Sequence, residues 1–103
     1  MNRYYWTAIC FDERNKSISK ISSIIDKYAI IINFQRFSDV SIGLTIEIDE
    51  DKIRVLYAQL QNILKIEGYE SPETIVKDSY ISLNIIFTKG SGDLEIEVPA
   101  ISE

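Results

Sequence analysis

Residues 29–49, AIIINFQRFSDVSIGLTIEID, decide the fold, because from Val40 onward apolar residues alternate with small or polar ones without a break. Val40, Ile42, Leu44, Ile46 and Ile48 fall on one face, and Ser41, Gly43, Thr45, Glu47 and Asp49 on the other. Successive side chains of a strand point to opposite faces, so this period predicts a β-strand with one buried side. Just upstream, Ile30, Ile32 and Phe34 alternate with Ile31, Asn33 and Gln35, and the parity changes across Arg36 to Asp39. A hairpin turn or bulge at Arg36–Asp39 accounts for that slip, and so short a connection predicts antiparallel pairing.

Working outward, the stretch from Arg3 to Phe11 is aromatic, β-branched or small and has no helical period. It reads as a strand apolar on both faces, with Tyr4, Trp6, Ala8 and Cys10 on one side and Tyr5, Thr7, Ile9 and Phe11 on the other. Which set faces the core is open from the residues alone. Ile18, Ile21, Ile24, Ile25 and Tyr28 recur every three or four residues and make the stripe of a first helix, with Asn15 or Ser17 as its cap. Asp49, Glu50 and Asp51 suit the start of a second helix, where carboxylates cap the backbone amides and favour the dipole. Its stripe is Ile53, Leu56, Tyr57, Leu60, Ile63 and Leu64, with Gly68 as the stop. A long exposed loop is expected over Tyr69–Ser79 and a half-buried strand over Tyr80–Thr88. After a turn at Lys89–Asp93, Leu94, Ile96 and Val98 alternate with Glu95 and Glu97 until Pro99, as an edge strand does.

The order strand, helix, strand, strand, helix, strand predicts one α+β domain over residues 1–103. As a topology it resembles the ferredoxin-like split βαβ plait (βαββαβ), here with an added C-terminal β-strand. The resemblance implies an antiparallel sheet with two helices on one face, and the first strand and Val40–Ile48 in the two central places. Ile42, Leu44, Ile46, Leu56, Leu60, Leu83 and Ile85 are the expected core.

Composition narrows the function. Sixteen acidic against eleven basic residues give a net charge of −5, which disfavours a nucleic-acid partner because phosphate binding rests on clustered Lys and Arg. No apolar run reaches the ~20 residues that span a bilayer, so no membrane partner is expected. The opening MNRYYWTAICF carries aromatic residues where a leader has an apolar run, and it reads as structure; a cytoplasmic location is the expectation. Histidine is absent, which removes the commonest acid–base group. The single Cys10 has neither a histidine to activate it nor a second cysteine at metal spacing, and reads as a core thiol. The acids at 49–51 lack a calcium loop, and Gly90-Ser91-Gly92 is followed by a strand pattern where a phosphate loop needs a helix. No catalytic residue, cofactor or metal is therefore expected.

What remains is a non-enzymatic protein-interaction or self-associating module, partnered by a second copy or another protein. The first strand carries bulky apolar groups on both sides and the helices can bury only one, so the other needs a cover. The candidate interface residues are Tyr5, Ile9, Phe11 and Thr45 on the sheet, with Leu94 and Ile96 in the tail. The alternative is a small-ligand-binding regulatory domain acting as a dimer, for which Ser41, Gly43 and Thr45 would matter.

Overall fold

Nine residues of β1 (Asn2–Cys10) lie beside nine of β5 (Ser79–Phe87), and this pair forms the middle of the structure. Between them in sequence come α1 (Arg14–Tyr28), β2 (Ala29–Ser38), β3 (Ser41–Ile48), a 3-10 turn (Glu50–Lys52) that runs into α2 (Ile53–Leu60), and β4 (Lys65–Glu67). The computed structural model describes residues 2–71 and 78–88. The added C-terminal strand expected at Leu94–Val98 lies outside the described residues.

The domain is α+β, with one five-stranded sheet in the order β2-β3-β5-β1-β4. The sheet is mixed, which corrects the antiparallel plait: β1 and β5 are parallel, and the other three pairings are antiparallel. The first strand does not neighbour Val40–Ile48 either, because β5 lies between them. The physical reason is visible in β5, whose burial alternates strictly over its whole length. Ile81, Leu83, Ile85 and Phe87 gain most from a central place, where strands on both sides complete their backbone bonds and the helices cover one face.

The face of β1 that the sequence left open is settled: Trp6, Ala8 and Cys10 are buried with Leu44, Ile46, Leu83 and Ile85 in a single core. Both helices bury their stripes in this same cluster, α1 through Ile21 and Ile25 and α2 through Ile53, Leu56 and Leu60. All seven expected core residues are buried, and Cys10 is a free, buried thiol. Val40, expected on the buried face, is instead exposed in the two-residue turn ahead of β3. The parity slip upstream is real, with register shifts between Ile31 and Asn33 and between Arg36 and Ser38.

Two helix ends differ from expectation. The cap of α1 is Glu13, whose carboxylate accepts from the amides of Asn15 (3.0 Å) and Lys16 (2.9 Å). Ser17 is buried inside the helix. The second helix ends at Leu60 and turns back on itself, with the Leu64 amide donating to the Leu60 carbonyl at 2.9 Å. Ile63 and Leu64 thus belong to that turn, and the chain goes directly into β4, which buries Ile66 against β1. Gly68 then adopts φ 95°, and a Cβ there would stand 2.6 Å from the Tyr5 carbonyl oxygen.

Leu44→Ala and Leu60→Ala are each expected to cost about 2–5 kcal/mol, from lost burial and the cavity left behind. Gly68→Ala is expected to lose at least about 1–2 kcal/mol to the left-handed backbone alone, with the Tyr5 contact adding to it. Urea denaturation checks all three, and losses under ~0.5 kcal/mol for both leucines would contradict their burial.

Candidate functional site

The sheet face away from the helices is laid out by the strand register. One row runs Ile9, Ile86, Ser41; the next Thr7, Asn84, Gly43, Gln35; then Tyr5, Ser82, Thr45, Asn33; and last Arg3, Tyr80, Glu47, Ile30. Its centre is small and polar, and its apolar groups sit toward the ends and edges. Of the residues singled out from sequence, Tyr5 and Phe11 are 66% and 58% exposed, while Ile9 and Thr45 are half-buried. Register brings Tyr5 and Thr45 into one row, separated by Ser82, and places Ile9 two residues along β1 from Tyr5. Phe11 lies just past the end of β1. Leu94 and Ile96 lie outside the described residues.

Sequence reasoning placed β2 as a strand antiparallel to β3 but missed its exposure. Ile30, Ile32, Phe34 and Phe37 are all exposed, although their alternation resembles that of a half-buried strand. The signal was the apolar content on both parities of AIIINF, which one layer of helices cannot cover. Phe37 also explains Gly43: its ring lies across the glycine, so a Cβ there would meet Phe37 Cε2 at 2.7 Å and Asn84 Oδ1 at 3.1 Å. The backbone of β3 is bare at this point to admit an aromatic ring of its own chain. At the far end of the face the Arg3 guanidinium sits 5.4 Å from the centre of the Tyr80 ring.

A second feature was read differently from sequence. Glu50 is buried rather than a solvated helix cap, and it accepts hydrogen bonds from the Tyr4 hydroxyl, the Ser79 hydroxyl and, at 3.3 Å, the Asn2 amide. Burial pushes its pKa up, but the bonds from Ser79, Tyr4 and Asn2 outweigh burial and hold the carboxyl below its ordinary value. Tyr4 responds in the opposite sense: desolvation first, and then the bond to Glu50, push its hydroxyl up to about 12. Glu50 and Ser79 are both buried, and Asn2 and Tyr4 are half-buried. The cluster is a structural knot joining the starts of β1 and β5 to the start of α2.

Two open clefts flank the sheet. One of about 400 Å³ is lined by charges of both signs, including Asp26, Lys27, Glu47, Lys52 and Asp78; the other, about 480 Å³, lies between Phe11, Asp12 and residues 61–65. Ser41, Gly43 and Thr45, the residues on which a ligand-binding reading rests, line neither. Among the described residues no group of three or more His, Cys, Asp or Glu is placed to hold a metal ion. No helix among them is long and apolar enough to cross a membrane. Comparison with protein-family models, with curated proteins and with solved structures finds no match for this chain.

The knot predicts a pH dependence. The Glu50 carboxyl titrates lower in the folded chain than in the unfolded one, so its contribution is complete above the ordinary value of 4.5 and fades as pH falls through the folded value. The Tyr4 hydroxyl titrates higher, so its share is complete below 10 and fades as pH rises toward 12. Glu50→Gln is expected to lose about 1–3 kcal/mol at neutral pH through unsatisfied buried donors, and to flatten the acid limb. Urea midpoints measured from acid to neutral pH check this; equal acid slopes in both proteins would contradict it.

Proposed function

We propose that this chain is a non-enzymatic protein-interaction or self-associating module. The observation that carries the reading is the amount of large apolar surface left open on one sheet: Tyr5, Phe11, Ile30, Ile32, Phe34, Phe37 and Ile86 are all exposed. Scattered single apolar residues are ordinary on a protein surface, but these are gathered on β2 and on the uncovered face, as at sites that bind other proteins. The acidic balance of −5 favours a protein partner over a nucleic acid, and the setting proposed for it is cytoplasmic.

A non-enzymatic reading draws on the chemistry of the groups present. The sequence has no histidine, Glu13 is engaged in capping α1, and Glu50 is engaged by Tyr4, Ser79 and Asn2. Gly43, which a ligand-binding alternative would use as a floor, is taken up by Phe37. The proposal extends to the fold: with β5 left out, the order is β2-β3-β1-β4, that of a ferredoxin-like plait, so β5 reads as a strand inserted at its centre.

Sedimentation velocity of the purified chain at rising micromolar concentration, together with native mass spectrometry of the chain isolated from its own host, tests the reading. The expected result is a species larger than the monomer in at least one of the two. A bare monomer in both, with no partner, would sink it.

A further inference from the structure

We infer that the edge of β2 is the interface with a second copy of this chain, the two β2 strands pairing antiparallel across a two-fold axis so that the sheets continue into one another. This rests on the interaction reading above and names its surface and its partner.

The two sheet edges are unlike. On the β1 side, β4 pairs with Thr7–Ile9 and blunts that part of the edge; it is a strand of three residues that exposes Lys65 and Glu67, the short and charged ending by which sheets avoid pairing. The β2 side is ten residues long, has no proline, and pairs with β3 alone among the described residues. Its outward N–H and C=O groups are a template for another strand. The one charge in β2 is Arg36, and its guanidinium is 3.2 Å from Asp39, so no bare like charge faces its equivalent across a two-fold. With one edge blunted and the other open, pairing of like with like closes at a dimer, whereas β2 against the opposite edge would propagate a filament.

The register can be stated. The bulges after Ile31 and Arg36 leave Asn33–Arg36 as the regular run. A two-fold perpendicular to the sheet keeps each face on its own side, so it must pass through a residue. Centred on Phe34, it sets that ring, 49% exposed and on the helix side of the sheet opposite Leu44, against its own copy. Asn33 then faces Gln35 of the second copy on the other side, an amide pair able to hydrogen-bond. From their exposed fractions, Ile30, Ile32, Phe34 and Phe37 leave roughly 400 Å² of apolar surface per copy. Two such patches plus the shared main chain come to a modest interface. The other occupants to be told apart are a foreign protein and residues 94–98 of the same chain.

The test uses the full chain. Wild type is expected to sediment as a reversible dimer, and Phe34→Lys to weaken it roughly tenfold or more without loss of the folded circular-dichroism signal, while Tyr5→Lys leaves it unchanged. Phe34→Cys is expected to form an intermolecular disulfide on mild oxidation far faster than Tyr5→Cys, with the buried Cys10 as a silent background. A dimer that persists in Phe34→Lys and crosslinks no faster through position 34 overturns the edge pairing. So does a monomer whose β2 amides are protected from hydrogen exchange, which identifies the chain's own tail as the cover. A monomer that binds another protein overturns the second copy but leaves the interaction reading standing, and a monomer that binds nothing ends both.

Discussion

The parallel pairing of β1 with β5, running from Asn2 beside Ser79 to Cys10 beside Phe87, is the constraint from which the rest of the sheet follows. Parallel strands cannot be joined by a tight turn, and here nearly all the described chain lies between the two. With β5 in place, β3 has partners on both sides and its Ile42, Leu44 and Ile46 face the helices. The core is therefore completed by contacts of long sequence separation, the kind that slow folding because loop entropy is spent before they form. Serine and isoleucine fill much of α1, so that helix draws most of its stability from packing on the sheet.

Glu50 occupies the end of this pair at which both strands begin. Asn2 and Ser79 are register partners, and Tyr4 is one step further along the same face, so one carboxylate draws together three groups whose positions fix how β1 lies against β5. A slip of one residue would carry either Ser79 or Asn2 and Tyr4 to the opposite face and leave the buried carboxylate short of donors. Such a cluster also discriminates between registers, because the observed one brings all three donors to the carboxylate. That discrimination has a use here, because β1 is apolar on both parities and hydrophobic burial alone separates its two registers weakly.

The parts of the fold that were legible in the sequence are those where one face is wet and the other dry. Alternation in Ser41–Ile48 and Ser79–Phe87 and the three-and-four spacing of α1 carried their burial patterns directly. β1 was legible as a strand but not as to face, since Tyr5, Ile9 and Phe11 are as bulky as Tyr4, Trp6 and Cys10. β4 was hidden because Ile63 and Leu64 continue the helical spacing of α2, and three residues are too few for a period to show. Glu50 was hidden because three consecutive acids after a strand are what a helix start ordinarily carries. Strand order was beyond local pattern altogether: it depends on which strand, once assembled, gains most from two neighbours. Of the candidate site, Tyr5 and Phe11 were legible as surplus apolar groups, whereas β2 was not, because whether an apolar strand is covered depends on how far the helices reach.

That reach also explains why the open surface has the form it does. Two helices, one of only eight residues, cover the core strands β1, β3 and β5 but leave the edge strand β2 partly bare even on their own side, where Phe34 lies opposite the buried Leu44. On the other side the middle of the sheet is small and polar through Ser41, Thr45, Ser82 and Asn84, and needs no cover. A partner laid flat on that face would meet little apolar area at its centre, the reverse of an interface with a dry core and a polar rim. A partner meeting the β2 edge would encounter the reverse: main chain that pairs with β3 alone among the described residues offers directional bonds, and Ile30, Ile32, Phe34 and Phe37 are grouped along it. Since main-chain pairing is indifferent to sequence and the flanking side chains are not, a strand that paired with this edge would draw affinity from the continued sheet and selectivity from the side chains beside it.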